Sequence, residues 1–289
     1  MPVNHIVFSA IFMVLIVTAA MLHYSFPDRY SLLNAFPTDP DIRLESIDRV
    51  EAFFNWAVIS GEALFDGITY FIRLVLDALE LAFVSTPWIV IAALIILLTW
   101  LTAGVRMAIY SGAFLAYMGL LGFWEKAMTT LALLGTAACL SILIGIPLGM
   151  FAARRPRFYS FIQPIMDFMQ TMPAFVFMIP VIAFFGTGKP AAVVTTMIFG
   201  GTPVVRLTVL GLRGVPESVR EAAICFGANK WYLLTKVDLP LASPSIRAGI
   251  NQTIMLSLAM VVVASLIGAK GLGEDVLEAL QYANVGQGI

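Results

Sequence analysis

The run WIVIAALIILLTWLTAG, residues 88–104, holds no charged side chain and only two hydroxyls. As a helix it is apolar on every side, and only a membrane or the centre of a large protein can cover such a surface. IVFSAIFMVLIVTAAML (6–22) and IMLSLAMVVVASLIGA (254–269) are uncharged as well. Each reaches or approaches the ~17–25 residues that a helix needs to cross a bilayer. Strands of a membrane barrel run about ten residues and alternate in polarity, which these runs do not. The chain is 60% hydrophobic and 12% charged, whereas a soluble domain is about 25% charged. The sequence therefore reads as an all-α polytopic membrane protein. Its net charge of −1 excludes a strongly basic nucleic-acid binder. Cys139 lies in an apolar run and Cys225 in a charged segment. They suggest neither a disulfide framework nor a metal cluster, and read as space-filling thiols.

No lysine or arginine precedes the first run, whereas a secretory signal has a basic start. Residues 5–24 thus read as a retained membrane helix. Residues 25–60 are polar and acidic, with turn-rich FPDRY and FPTDPD. Across 42–58 and again 62–83, charges interleave with Leu, Phe and Ile at helical spacing, as in amphipathic helices on a membrane surface. This sets residues 1–85 apart as a membrane helix with acidic amphipathic helices, from a transmembrane core over 86–289. Spans are expected at about 86–104, 107–123, 127–153, 160–185, 190–210 and 246–268. Prolines 147, 164, 173, 180 and 203 predict kinked or broken helices, which neighbours or a wet cavity can satisfy.

Lysine and arginine in short connections set orientation. With a cytoplasmic N-terminus, the inner links hold Arg106, then Arg154, Arg155 and Arg157, then Arg206, Arg213, Arg220, Lys230, Lys236 and Arg247. The outer links between spans hold only Lys126 and Lys189. The segment REAAICFGANKWYLLTKVDLPLASP (220–244) therefore faces the cytoplasm. Its chemistry predicts an elbow. Pro216 suits a helix start, Glu217 and Glu221 suit the positive end of the dipole, and Gly227 suits a left-handed stop. Val219, Ala222, Ala223 and Phe226 share one face. A second short helix is expected over about 229–236, stopped by Leu239-Pro240. Such an exposed elbow fits a docking element better than the alternative, a plain inter-helix loop with incidental helicity.

The elbow resembles the signature of permease subunits of binding-protein-dependent ABC importers. That pattern is EAA, three residues, Gly, nine residues, an aliphatic, one residue, Leu-Pro. Here it reads Glu221-Ala222-Ala223, Gly227, Val237, Leu239-Pro240, with every spacing kept. QTMPAFVFMIP (170–180), PVVRLT (203–208) and AGINQTIMLSLAMVVVASLIGAKGLG (248–273), with a fainter NAFP (34–37), resemble permeases for glycine betaine and related quaternary amines. The resemblance implies a type I ABC importer permease fold with a cytoplasmic coupling helix at about 214–240. It also implies a homodimer, two ATP-binding cassette subunits and a periplasmic or lipid-anchored substrate-binding protein, in a bacterial inner membrane. The chain itself would be no enzyme and would bind no cofactor or metal, ATP and Mg being used by the partner. Family members usually carry a further span after the GLG segment, so with the chain stopping at Ile289 either that C-terminal span is missing or the topology differs.

The chain lacks the G-x-x-x-x-G-K-[ST] phosphate loop. GTGKP (186–190) has Ala183 and Pro190 where that loop needs Gly and Ser or Thr, and reads as a turn. Candidate path residues are Gln170, Thr171, Met172 and Phe175, with Asn251, Gln252 and Met255 on the last span. Asn251 and Gln252 could equally be hydrogen-bond glue between helices. Asp167 could line the path or lie at the interface. The alternatives are a permease for another small solute, a secondary transporter, and a membrane enzyme. The second would call for inverted repeats and coupling charges. The third would need more than His5 and His23, which pair with nothing recognisable.

Overall fold

The computed structural model of the chain describes residues 12–21, 24 and 40–288. FPDRY, NAFP, most of FPTDPD, His5, His23 and the ends of the first apolar run lie outside the described residues. Among the described residues every regular element is helical. Two compact units divide the chain, Met1–Ala57 and Val58–Ile289. Helix α1 is Phe12–Met21. Helix α2, Pro40–Phe83, is one helix of 44 residues, where two were expected. Gly61 sits at the expected break, but glycine costs only about 1 kcal/mol inside a helix, and no proline reinforces it.

The second unit begins well before the expected boundary at residue 85. Ile72 and Leu76 of α2 are buried in a cluster with Leu133, Ala137, Leu140 and Val193. Phe65 stacks on Phe184 at 4.6 Å, and Glu80 pairs with Lys189 at 2.5 Å. Residues 65–80 thus pack as part of the bundle. Next come α3 (Trp88–Ala103) and α4 (Val105–Leu120), separated by Gly104 at φ +88°. Helix α5 is Trp124–Arg154.

Proline predicts the broken helix correctly in kind. Residues 160–185 are not one straight helix: α6 (Pro156–Thr171) and α7 (Ala174–Phe185) meet at 108°. Pro173 forces the residue before it out of the helical region, and Met172 accordingly lies at φ −76°, ψ 142°. Helices α8 (Lys189–Gly200) and α9 (Thr202–Arg213) follow one another, and Lys189–Arg213 is long and apolar enough to cross a membrane, as is α5. The expected last span divides at Met260 into α12 (Leu239–Ala259) and α13 (Val261–Leu266). Between α9 and α12 lie α10 (Glu217–Cys225) and α11 (Lys230–Tyr232). The chain ends with α14 (Leu272–Gln281) and α15 (Val285–Gly288).

Helix α9 is packed between α5 and α12. A Cβ on Gly149 of α5 would lie 2.7 Å from Cβ of Thr208, and one on Gly249 of α12 would lie 3.1 Å from Cα of Val204. Small residues let membrane helices approach this closely, and packing then replaces the hydrophobic drive that lipid removes. Three buried hydroxyls are satisfied within their own helices: Thr136, Thr195 and Ser257 donate to the carbonyls of Ala132, Ala191 and Thr253, each at 2.8 Å, whereas the hydroxyls of Ser141, Thr208 and Thr253 have no hydrogen-bond partner among the described residues. Cys139 and Cys225 are both free and exposed, so Cys139 does not fill space inside the bundle.

Helix α14 is tied to the start of α5. Lys126 pairs with Asp275, and the Leu272 N–H donates to Oγ1 of Thr130 at 2.8 Å. Thr130→Val removes that acceptor and is expected to cost about 1–2 kcal/mol, with Thr130→Ser close to wild type. Thermal unfolding of the detergent-solubilised protein checks it.

Candidate functional site: the elbow and the helices it joins

The elbow is built by helix-terminus chemistry. Pro216 caps α10 at φ −58°, ψ 134°, one residue before the first turn, and Glu217 opens that turn. At the other end Gly227 has φ +84°, a conformation that strains any residue with a Cβ. Its N–H donates to the carbonyl of Ile224 at 2.8 Å, and the Ala228 N–H to that of Ala223 at 3.0 Å. Together these form a Schellman stop. Asn229 then starts α11 by accepting the Tyr232 N–H at 2.8 Å.

Leu239-Pro240 does not stop the second arm as expected. A π-helical turn, Leu233–Asp238, carries the chain directly into α12. Pro240 has no N–H to offer the carbonyl four residues back, and its ring crowds that turn. The wider π spacing accommodates it, with the Leu239 N–H donating to the carbonyl of Leu234. The signature thus divides in two. Glu221 and Ala222 are exposed, as are Gly227 and Pro240, and Ala223 is half-buried. Val237 and Leu239 are half-buried, Leu239 packing against Leu212, Ala242 and Ile246. No residue of α10 is buried. Phe226 is 94% exposed and Trp231 71%. An uncovered aromatic pair on a rigid turn is the kind of surface that anchors protein–protein contacts.

Sequence reasoning missed the clip that fixes the elbow. Arg220 donates through Nε to Oδ1 of Asp238 at 2.8 Å and through Nη2 to the carbonyl of Leu212 at 2.6 Å. One side chain thus joins α10, the end of α9 and the π turn. Asp238 is buried. Both charges were visible in the segment, but nothing local relates residues 18 apart. A cavity of about 350 Å³ beside the clip is bounded by Arg154, Arg213 and Lys230.

Of the candidate path residues, Thr171, Phe175, Asn251, Gln252 and Met255 are exposed, and Gln170 and Met172 are half-buried. The Asn251 amide reaches only Sδ of Met255, at 4.0 Å on its own helix. Among the described residues, therefore, Asn251 and Gln252 glue no helices together within one chain. No hydrogen bond joins the 170–175 group to the 251–255 group. Asp167 of α6 is ion-paired with Arg206 of α9, and Arg206 lies within that helix, not in a link. Lys189 of GTGKP is paired with Glu80 at the start of α8, the role of a helix-initiating turn.

These features define a polytopic α-helical membrane protein with an exposed, rigid elbow. The family model described as binding-protein-dependent transport system inner membrane component matches residues 145–289, half of the chain. The sequence is 41% identical over 232 residues to the glycine betaine/proline betaine transport system permease protein ProW of Escherichia coli (strain K12), covering 80% of this chain and 66% of that one. It is 36% identical over 247 residues to the glycine betaine transport system permease protein OpuAB of Bacillus subtilis (strain 168), covering 86% and 88%. It is 41% identical over 231 residues to the glycine betaine/carnitine transport permease protein GbuB of Listeria monocytogenes serotype 1/2a (strain 10403S), covering 78% and 82%. The chain belongs to the family of binding-protein-dependent transport system inner membrane components.

Proposed function

We propose that this chain is the permease subunit of an ATP-driven, binding-protein-dependent importer for glycine betaine or a related quaternary-amine or methylamine solute. The observation that carries the reading is the elbow. It keeps every spacing of the signature, is held rigid by Gly227, Asn229 and Arg220, and leaves its aromatic front uncovered. The solute class is supported by the names of the relatives. Two copies of the chain enclose the path, and two ATP-binding cassette subunits receive the elbows. ATP and Mg stay on those partners, so this subunit is not itself an enzyme. A periplasmic or lipid-anchored binding protein delivers solute from outside.

In this reading the N-terminus and the elbow are cytoplasmic, in a bacterial inner membrane. Arg154, Arg155 and Arg157 where α5 ends and α6 begins, and Arg213, Arg220 and Lys230 around the elbow, support that side by their charge. Closure of the ATPase pair on ATP moves both elbows, and α12 carries the motion to Asn251, Gln252 and Met255. The path then turns from inward-open to outward-open and accepts solute.

The test is uptake of radiolabelled glycine betaine by cells that lack their own betaine uptake. The chain is expressed there with the ATP-binding subunit and the binding protein proposed to work with it. Uptake is expected to depend on all three components, with the ATPase copurifying. Uptake by this chain alone would mark a secondary transporter. A copurifying ATPase with uptake of some other small solute would overturn the solute class only.

A further inference from the structure

Helix pair α8–α9 is long and apolar enough to cross a membrane, and Arg206 lies about 25 Å along it from Lys189 and about 10 Å from Arg213, at 1.5 Å per residue. In a pair that spans with Lys189 and Arg213 at the two faces, the guanidinium falls within the hydrocarbon region, which is roughly 30 Å thick. Asp167 of α6 is its partner. The pair is not sealed in the bundle: the Asp167 side chain is 50% exposed and that of Arg206 33%. Nε of Arg206, on its covered side, has no hydrogen-bond partner. Charges exposed at this depth do not face lipid tails, because the cost is several kcal/mol. They face water or a polar surface. Gln170 and Thr171 lie three and four residues beyond Asp167, on the same side of α6, and Met172 and Phe175 follow at the 108° break. Other ion pairs of the bundle, Lys126–Asp275 and Lys189–Glu80, sit where α5 and α8 begin and cannot serve the same purpose.

We propose that the Asp167–Arg206 pair is a transient solute site, which opens to exchange partners with a small zwitterion. The solute's anionic oxygen takes the place of the Asp167 carboxylate on Arg206, where the planar fork offers charge-assisted hydrogen bonds of equal kind. The released Asp167 faces the solute's quaternary ammonium, which has no N–H to donate and which Phe175 can meet with a ring face. Net charge at the site is unchanged at every stage, so a zwitterion enters without an unpaired charge at membrane depth. A cation lacking the anionic oxygen would leave Arg206 unpaired and is disfavoured. The pair closes behind the departing solute, so affinity is low by construction.

The inference rests on the importer reading above, and one experiment separates the two. Binding of radiolabelled glycine betaine is measured on the permease–ATPase complex in nanodiscs without binding protein, alongside uptake by the intact transporter. The wild type is expected to bind saturably in the millimolar range, with competition by carnitine and trimethylamine N-oxide but not by choline. Asp167→Asn and Arg206→Gln should each weaken binding at least ~tenfold while the ATPase still copurifies. If either fails to assemble, Asp167→Glu or Arg206→Lys replaces it, with a loss of a few-fold. Binding unchanged in the variants, no saturable binding in the wild type, or choline competing as well as carnitine overturns the site. Absence of uptake by the intact wild-type transporter overturns the importer reading instead.

Discussion

Arg220→Ala is expected to cost the elbow about 3 kcal/mol and to lower coupled uptake at least ~tenfold, since removing one member of a buried pair strands the other. Asp238 would be left buried without its partner, and the carbonyl of Leu212 would lose its donor. The Arg220 side chain is 32% exposed, against 8% for Asp238, so most of the penalty falls on the aspartate. Arg213 and Lys230 border the same cavity and screen it in part, which sets the figure at the lower end for such pairs. Arg220→Lys keeps the charge but cannot reach Asp238 and Leu212 together, and should fall in between. Thermal unfolding and uptake measured on the same preparations check this. Wild-type stability in Arg220→Ala would mean that the clip is incidental.

The second large effect concerns Gly227. A Cβ there would meet nothing within 4 Å, so any penalty comes from the backbone at φ +84° and not from crowding. A left-handed conformation costs a residue with a Cβ about 1–2 kcal/mol, and β-branching adds to that. Gly227→Val should therefore unwind the stop of α10, leave solute binding at the outer binding protein intact, and depress both uptake and solute-stimulated ATPase at least ~tenfold. Gly227→Asn should be milder, because asparagine tolerates this region. That ordering distinguishes a backbone requirement from a contact requirement. Unchanged uptake in Gly227→Val removes the coupling role.

Much of the elbow was legible because its determinants are local. A proline at the helix start, acids near it and a glycine after the last apolar position act within one turn of where they stand, whereas the Asn229 cap was found only in the structure. Pro173 was legible for the same reason, although its 108° consequence was not. The ion pairs were illegible. Arg220 with Asp238, and Asp167 with Arg206, are joined only by helices returning past one another, and residue spacing carries no trace of that. Charge counting even assigned Arg206 to a link, since a sequence shows that an arginine is near a helix end but not that its partner holds it within the helix. The continuity of α2 escaped because a single glycine looks like a break where helical propensity makes it a small cost. The path candidates are exposed or half-buried side chains on the described chain, and what they face is a matter of assembly that no single strand of sequence encodes.

The π turn at Leu233–Asp238 has a mechanical consequence. Because the chain never leaves helical conformation from Lys230 to Ala259, the elbow's second arm and the helix bearing Asn251 form one continuous shaft. From Lys230 to Asn251 that shaft is roughly 30 Å long at about 1.5 Å per residue. It has no flexible joint to dissipate a push. A thrust delivered at the exposed end is not absorbed by a loop but arrives as tilt at the far end, with the wider π coil and the interior Pro244 as the places along it that can bend or twist.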